Sequence, residues 1–222
     1  MGAFFASIKK DLYISWRSQW DVLLVLTFFL ATGALFPLSM GGNLNILANV
    51  AGSITMTLAM LAALLSMDRL FLFDYEDGSL DMLSRAPFSL LMVVLAKALS
   101  HWLTTLLPLL LFTPLLAIIM GVKPRDVWLI PLFLALATPG LSLLGTFGAA
   151  LTLGSHRVAL LMIFLILPLF IPFLIFTSLG IHLGQKGEDI GICILFLVSL
   201  NLLALASLPW ATAYALKDAV KS

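Results

Sequence analysis

Val22–Met40 reads VLLVLTFFLATGALFPLSM, and after Gly41-Gly42-Asn43 comes LNILANVAGSITMTLAMLAALLSM, Leu44–Met67. No Asp, Glu, Lys or Arg stands between Asp21 and Asp68. A bilayer's hydrocarbon core is about 30 Å thick, and about 20 helical residues cross it. Each run has that length, and the three residues between them suffice only for a tight turn. The stretch therefore predicts two antiparallel membrane spans.

The same reading extends along the chain. Phe88–Met120, Val127–Leu153, Val158–Ile181 and Ile190–Tyr214 are further apolar runs of spanning length. The predicted fold is all-α, a polytopic membrane protein of six transmembrane helices forming one membrane-embedded unit over residues 1–222. Composition agrees: 62% of the 222 residues are hydrophobic and 10% charged, against about 45–50% and about 25% in soluble domains. The mean hydropathy is +1.13. A net charge of +1 offers no attraction for nucleic acid. The charged residues ahead of Val22 predict that the first run is a retained span, not a cleaved signal.

Two spans depart from a plain helix. Phe88–Met120 is too long for one straight crossing. Lys97 and His101 near its start, then Pro108 and Pro114, predict a helix that begins in the interface and bends. Pro168, Pro172 and Gly180 interrupt the fifth span near its outer end, and the sequence leaves open whether its last part bends back as a short re-entrant element. Gly140, Gly145, Gly148 and Ala149, and the Gly180/Gly184 and Gly187/Gly191 spacings, permit close helix approach, with packing inside one subunit the plainer reading.

Orientation follows from the Lys/Arg bias. With both termini cytoplasmic, the inner side holds Lys9, Lys10, Arg17, Arg69, Arg85, Lys97, Arg157, Lys217 and Lys221, and the outer side Lys123, Arg125 and Lys186. Residues 1–20 place Phe4, Phe5, Ile8, Leu12 and Trp16 at three- and four-residue steps, with Lys9, Lys10 and Arg17 on other faces. That pattern predicts an amphipathic helix lying on the bilayer, with a solvated tail as the alternative.

Much chemistry is absent from the sequence. No acid sits well inside a span, which disfavours ion-coupled transport. There is no G-x-x-x-x-G-K-[ST] stretch, so the chain cannot hydrolyse ATP alone. Cys193 is a lone thiol in an apolar run and reads as a buried small residue. His101, His156 and His182 could each ligate a metal or haem iron, but none has a second histidine at i+3 or i+4. Ordinary hydrogen-bonded histidines are the plainer reading.

The long polar connection, Asp68–Pro87, carries the most specific signal. It contains Asp74-Tyr-Glu76-Asp-Gly78-Ser-Leu80-Asp81-Met-Leu83-Ser-Arg85-Ala-Pro87. Gly78-Ser79 can start a helix with Ser79 as N-cap and Asp81 in the first turn, and Pro87 ends it. Leu80 and Leu83 share a face. An acidic segment on the inner side is repelled by anionic lipid, so a protein partner explains it better than a bilayer surface does; a solvated linker is the alternative.

Glu-x-Gly-Ser-Leu-Asp-x-Leu-x-x-x-Pro at 76–87 resembles the coupling stretch of ABC-2 type transporter permeases. With Asp68-Arg69-Leu70-Phe71, Leu95-Ala96-Lys97, His101-Trp102-Leu103 and Leu167–Pro172, the whole chain resembles the haem exporter protein B (CcmB) family of bacterial cytochrome c maturation. The resemblance implies a permease without catalytic, metal or resident cofactor residues of its own. It implies haem as a substrate of the complex and a bacterial inner-membrane location. It also implies a separate CcmA-like ATPase, CcmC- and CcmD-like partners, and two permease copies per complex. Glu76, Gly78, Leu80, Asp81, Leu83, Arg85 and Pro87 become the expected ATPase-docking residues, with Leu80 and Leu83 filling a groove. A non-transporting membrane scaffold that couples the ATPase cycle to a haem-handling partner needs the same loop.

Overall fold

The computed structural model describes residues 19–41, 43–67, 70–80, 90–153 and 158–219. The amphipathic expectation for the first 18 residues lies outside them, as do Asp81, Leu83, Arg85, Pro87 and His156. Among the described residues the helices are α1 (Gln19–Ser39), α2 (Leu44–Met67), the short α3 (Leu72–Glu76), α4 (Leu90–His101), α5 (Leu107–Ile119), α6 (Leu129–Leu151), α7 (Val158–Lys186) and α8 (Gly191–Ala219). Six helical stretches are long and apolar enough to cross a membrane, with α4 and α5 forming one of them.

The centre of the bundle is α6, which packs against α2, α4, α5, α7 and α8. Its sequence explains the position: small residues leave little side chain to displace neighbours, and 67% of its span is buried against 17% for the spans of α1 and α8. The outer faces of α1, α7 and α8 display Leu, Ile, Phe and Val, as helices solvated by lipid do. Phe29, Phe71, Phe133 and Phe170 are fully buried and fill the spaces between helices.

The third span departs from a straight helix, and the departure lies earlier than the prolines themselves. Between α4 and α5, Trp102–Leu106 forms one wide, π-type turn. Pro108 supplies the reason: it has no N–H to offer the carbonyl of Thr104, and its ring crowds that carbonyl, so the preceding turn opens. Pro114 acts differently. It leaves the Leu110 carbonyl without its helical donor, and the Thr113 hydroxyl donates to that carbonyl at 2.8 Å, so α5 runs on unbroken.

The end of the fifth span, which the sequence leaves open, is a continuation of the helix. Helix α7 runs through Pro168, Pro172 and Gly180 to Lys186 without a break. Two flanking interfaces hold its outer half straight. Toward α2, Gly52 faces the fully buried Ile181, the Ser53 and Ser178 hydroxyls are hydrogen-bonded to each other, and Gln185 Nε2 donates to the Ala48 carbonyl at 3.3 Å. Toward α6, Gly180 lies under the Phe133 ring and Gly184 under Leu129. The Gly180/Gly184 pair thus serves packing within one subunit. Gly187 instead makes the turn after α7, and Gly191 starts α8 with its N–H bonded to Asp189 Oδ1 at 2.8 Å.

Candidate partner-docking segment

The connection from α2 to α4 is built around Phe71 and Asp74. Phe71, Asp74 and Gly78 recur at three- and four-residue steps. Phe71 is fully buried and Asp74 is 5% exposed, so this face of α3 points into the bundle. The opposite face carries Phe73, Glu76 and Asp77, all exposed, with Phe73 at 59%. The helix ends at Gly78, whose φ of +74° lies in the left-handed region; a residue with a Cβ adopts it only at a cost. The backbone becomes helical again at Ser79-Leu80.

The amides that Ser79 would cap lie outside the described residues. The Ser79 hydroxyl points back to Asp74, donating to Oδ1 at 3.1 Å, and Asp77 Oδ1 accepts the Ser79 N–H at 2.8 Å. A carboxylate two residues upstream reaches that N–H as an Asx turn, which leaves the serine free to tie the loop inward. Leu80 does not face outward: it is 1% exposed and belongs to the main core. It anchors the segment to the bundle, and among the described residues of the segment the exposed large apolar group is Phe73.

Asp74 and Lys97, which the loop reading passed over, form the strongest polar contact here. Lys97 Nζ lies 2.5 Å from Asp74 Oδ2, with the side chains only 15% and 6% exposed. The ammonium also sits 5.9 Å from the centre of the Phe71 ring, within cation–π range. A signal for this pair stood in the sequence: Lys97 is the sole Lys or Arg of Phe88–Met120, and a cation inside an apolar helix calls for a carboxylate.

One turn beyond Lys97, on the same face of α4, is His101. Its Nε2 lies 2.8 Å from the Ser66 hydroxyl of α2, and its Nδ1 lies 3.0 Å from the Ser142 hydroxyl of α6. Ser142 donates its own proton to the Ala98 carbonyl at 2.7 Å, so it accepts from Nδ1. His101 is thus a buried hydrogen-bonded link between three helices, and Trp102 Nε1 adds a bond to Thr138 Oγ1 at 3.0 Å. His182, at the other end of the bundle, is exposed. Among the described residues no three His, Cys, Asp or Glu side chains gather in a group that could hold a metal ion. The arrangement offers an exposed aromatic-and-acidic face, tied to the bundle through Asp74 and Leu80.

Comparison with known proteins adds an independent line. A family model described as CcmB protein matches residues 2–219. The chain is similar to Heme exporter protein B of Rhodobacter capsulatus, 43% identical over 96% of this chain and 97% of that protein. It is similar to Heme exporter protein B of Pseudomonas aeruginosa, 40% identical over 98% and 97%, and of Escherichia coli K12, 38% identical over 98% and 99%.

Proposed function

The chain belongs to the CcmB protein family, and on that premise we propose that it is the membrane permease subunit of a haem exporter serving c-type cytochrome biogenesis. A separate ATPase subunit powers it through the Phe71–Pro87 segment. The observation that carries the docking assignment is the exposed Phe73–Glu76–Asp77 face of α3. Both ends of that face are fixed, by Asp74 to α4 and by Leu80 to the core. ATP-driven movement of a soluble partner does work on spans only through an element that both parts grip. Phe73 offers apolar area, and the acids give orientation.

Within this reading Glu76 and Gly78 lie at the contact, Asp81, Leu83, Arg85 and Pro87 continue it, and Leu80 holds the segment in place. The complex holds two copies of this chain, two ATPase subunits and CcmC- and CcmD-like membrane proteins, in the bacterial inner membrane. Both termini are cytoplasmic, which the distribution of Lys and Arg supports.

The test is co-purification of the ATPase with chains carrying Glu76→Lys or Phe73→Ser. Reversing one rim charge replaces a weak attraction with a repulsion, about 1–2 kcal/mol in all and about tenfold in affinity, and high salt removes most of it. Phe73→Ser costs more and is insensitive to salt, since the lost term is apolar burial. Wild-type recovery of the ATPase by the double variant, with normal cytochrome maturation, would place the docking surface elsewhere.

A further inference from the structure

Lys97 stands alone among apolar residues in the first half of the third span, and a buried charge there has to be matched. Its match comes from outside the span: Asp74 of the five-residue α3. Asp74 is itself held from the loop side, because its Oδ1 accepts the Ser79 hydroxyl. One carboxylate therefore joins the turn at Gly78, the short helix and the third span. Its neighbour Leu80 packs into the apolar core, a non-directional contact that permits sliding, while the Phe71 ring lies under the same Lys97 ammonium. A desolvated charge pair is directional and resists separation.

Stability alone does not account for such a pair. Two apolar residues of similar volume would hold the same place as well or better. What the pair adds is a connection that transmits displacement. Its position along α4 fits that role. Four residues further on the same face, His101 links α4 to α2 and α6, and immediately beyond it the helix opens into the wide turn Trp102–Leu106. Such turns occur where a helix changes register. The half-helix Leu90–His101 thus carries its handle at Lys97, about one turn before the joint.

We infer that the Asp74–Lys97 pair is the tie that carries movement of the α2–α4 connection into the third span, which yields at Trp102–Leu106. The inference rests on the docking reading above and assigns Asp74 and Lys97 as positioning residues. It is tested in the purified complex and in cells with Asp74→Asn, Lys97→Met, the double variant and Lys97→Arg. Three quantities are followed: abundance of the chain in the membrane, ATP turnover of the complex, and yield of mature c-type cytochrome.

Neutralising either residue leaves abundance and ATP turnover near wild type and lowers maturation about tenfold or more, as losing a buried charge partner does. The double variant is no worse than either single one, and Lys97→Arg keeps most of the maturation. Maturation that falls in step with abundance makes the pair merely structural and overturns the inference. So do losses that multiply in the double variant, or unchanged maturation in Asp74→Asn. If no ATPase accompanies the wild-type chain, the docking reading fails and the tie with it. If the ATPase is present and turning over while Asp74→Asn matures cytochromes normally, the tie alone fails.

Discussion

Gly52→Val probes the interface that keeps the fifth span straight. A Cβ at Gly52 would lie 2.7 Å from Ile181 Cγ2, 2.9 Å from Cδ1 and 3.0 Å from Cβ. Ile181 is 1% exposed and β-branched, so its Cβ moves only with the backbone of α7 and its Cγ2 is held by a stiff χ1. Restoring an ordinary contact of about 3.4 Å requires α2 and α7 to separate by about 0.7 Å (3.4 less 2.7), before valine's two further methyl groups are placed. Overpacking of this kind costs about 1–3 kcal/mol, and valine belongs at the upper end. Separation also strains the Ser53–Ser178 and Gln185–Ala48 hydrogen bonds, worth about 1 kcal/mol each. Removing a helical glycine returns about 0.5 kcal/mol of helix propensity, leaving a net loss of about 3 kcal/mol.

At about 2–4 °C per kcal/mol for a chain of this size, the thermal midpoint of the purified protein in detergent falls by about 6–12 °C. Gly52→Ala, with a larger propensity gain and no further methyl groups, falls by a few degrees at most. Ile181→Ala alone also destabilises, by about 2–5 kcal/mol. Combined with Gly52→Val, however, it makes room for the new methyl groups, so the double variant loses less than the two single losses together. A wild-type midpoint for Gly52→Val, or strict additivity in the double variant, would refute close packing of α2 on α7.

Leu80→Ala opens a cavity at the base of the docking segment and costs about 2–5 kcal/mol locally; limited proteolysis of inside-out vesicles should cut near Gly78 while the chain still inserts, and unchanged protection argues against Leu80 as an anchor. Reporter fusions at Gly42, Lys123 and Lys186 should read as external, and those at Ser79, His156 and the C-terminus as cytoplasmic; a cytoplasmic signal at Lys123 contradicts the six-span topology. His101→Ala removes bonds to Ser66 and Ser142, but both serines keep backbone acceptors at Ala63 and Ala98, so thermal stability drops while maturation stays largely intact. Complete loss of maturation at normal abundance would instead give His101 a direct role with haem.

Membrane class, the number of spans and nearly all of their positions were legible in the sequence, because crossing a bilayer imposes a length and an apolarity that each segment satisfies on its own. The docking segment was legible as a segment, since Asp68–Pro87 is the long polar interruption between apolar runs, and Gly78 marks a turn that its φ requires. What each residue faces was not legible. Leu80 looked available to a partner, yet its burial depends on core residues far away in the chain. The Ser79 hydroxyl bonds back to Asp74, whose place is set in turn by Lys97. Pro168, Pro172 and Gly180 looked like a break, and only the flanking α2 and α6 decide that α7 continues. The length and apolarity of a span are properties of a segment alone, whereas the direction a polar group points and the fate of a weakened helix are settled by neighbours that only the folded bundle brings together.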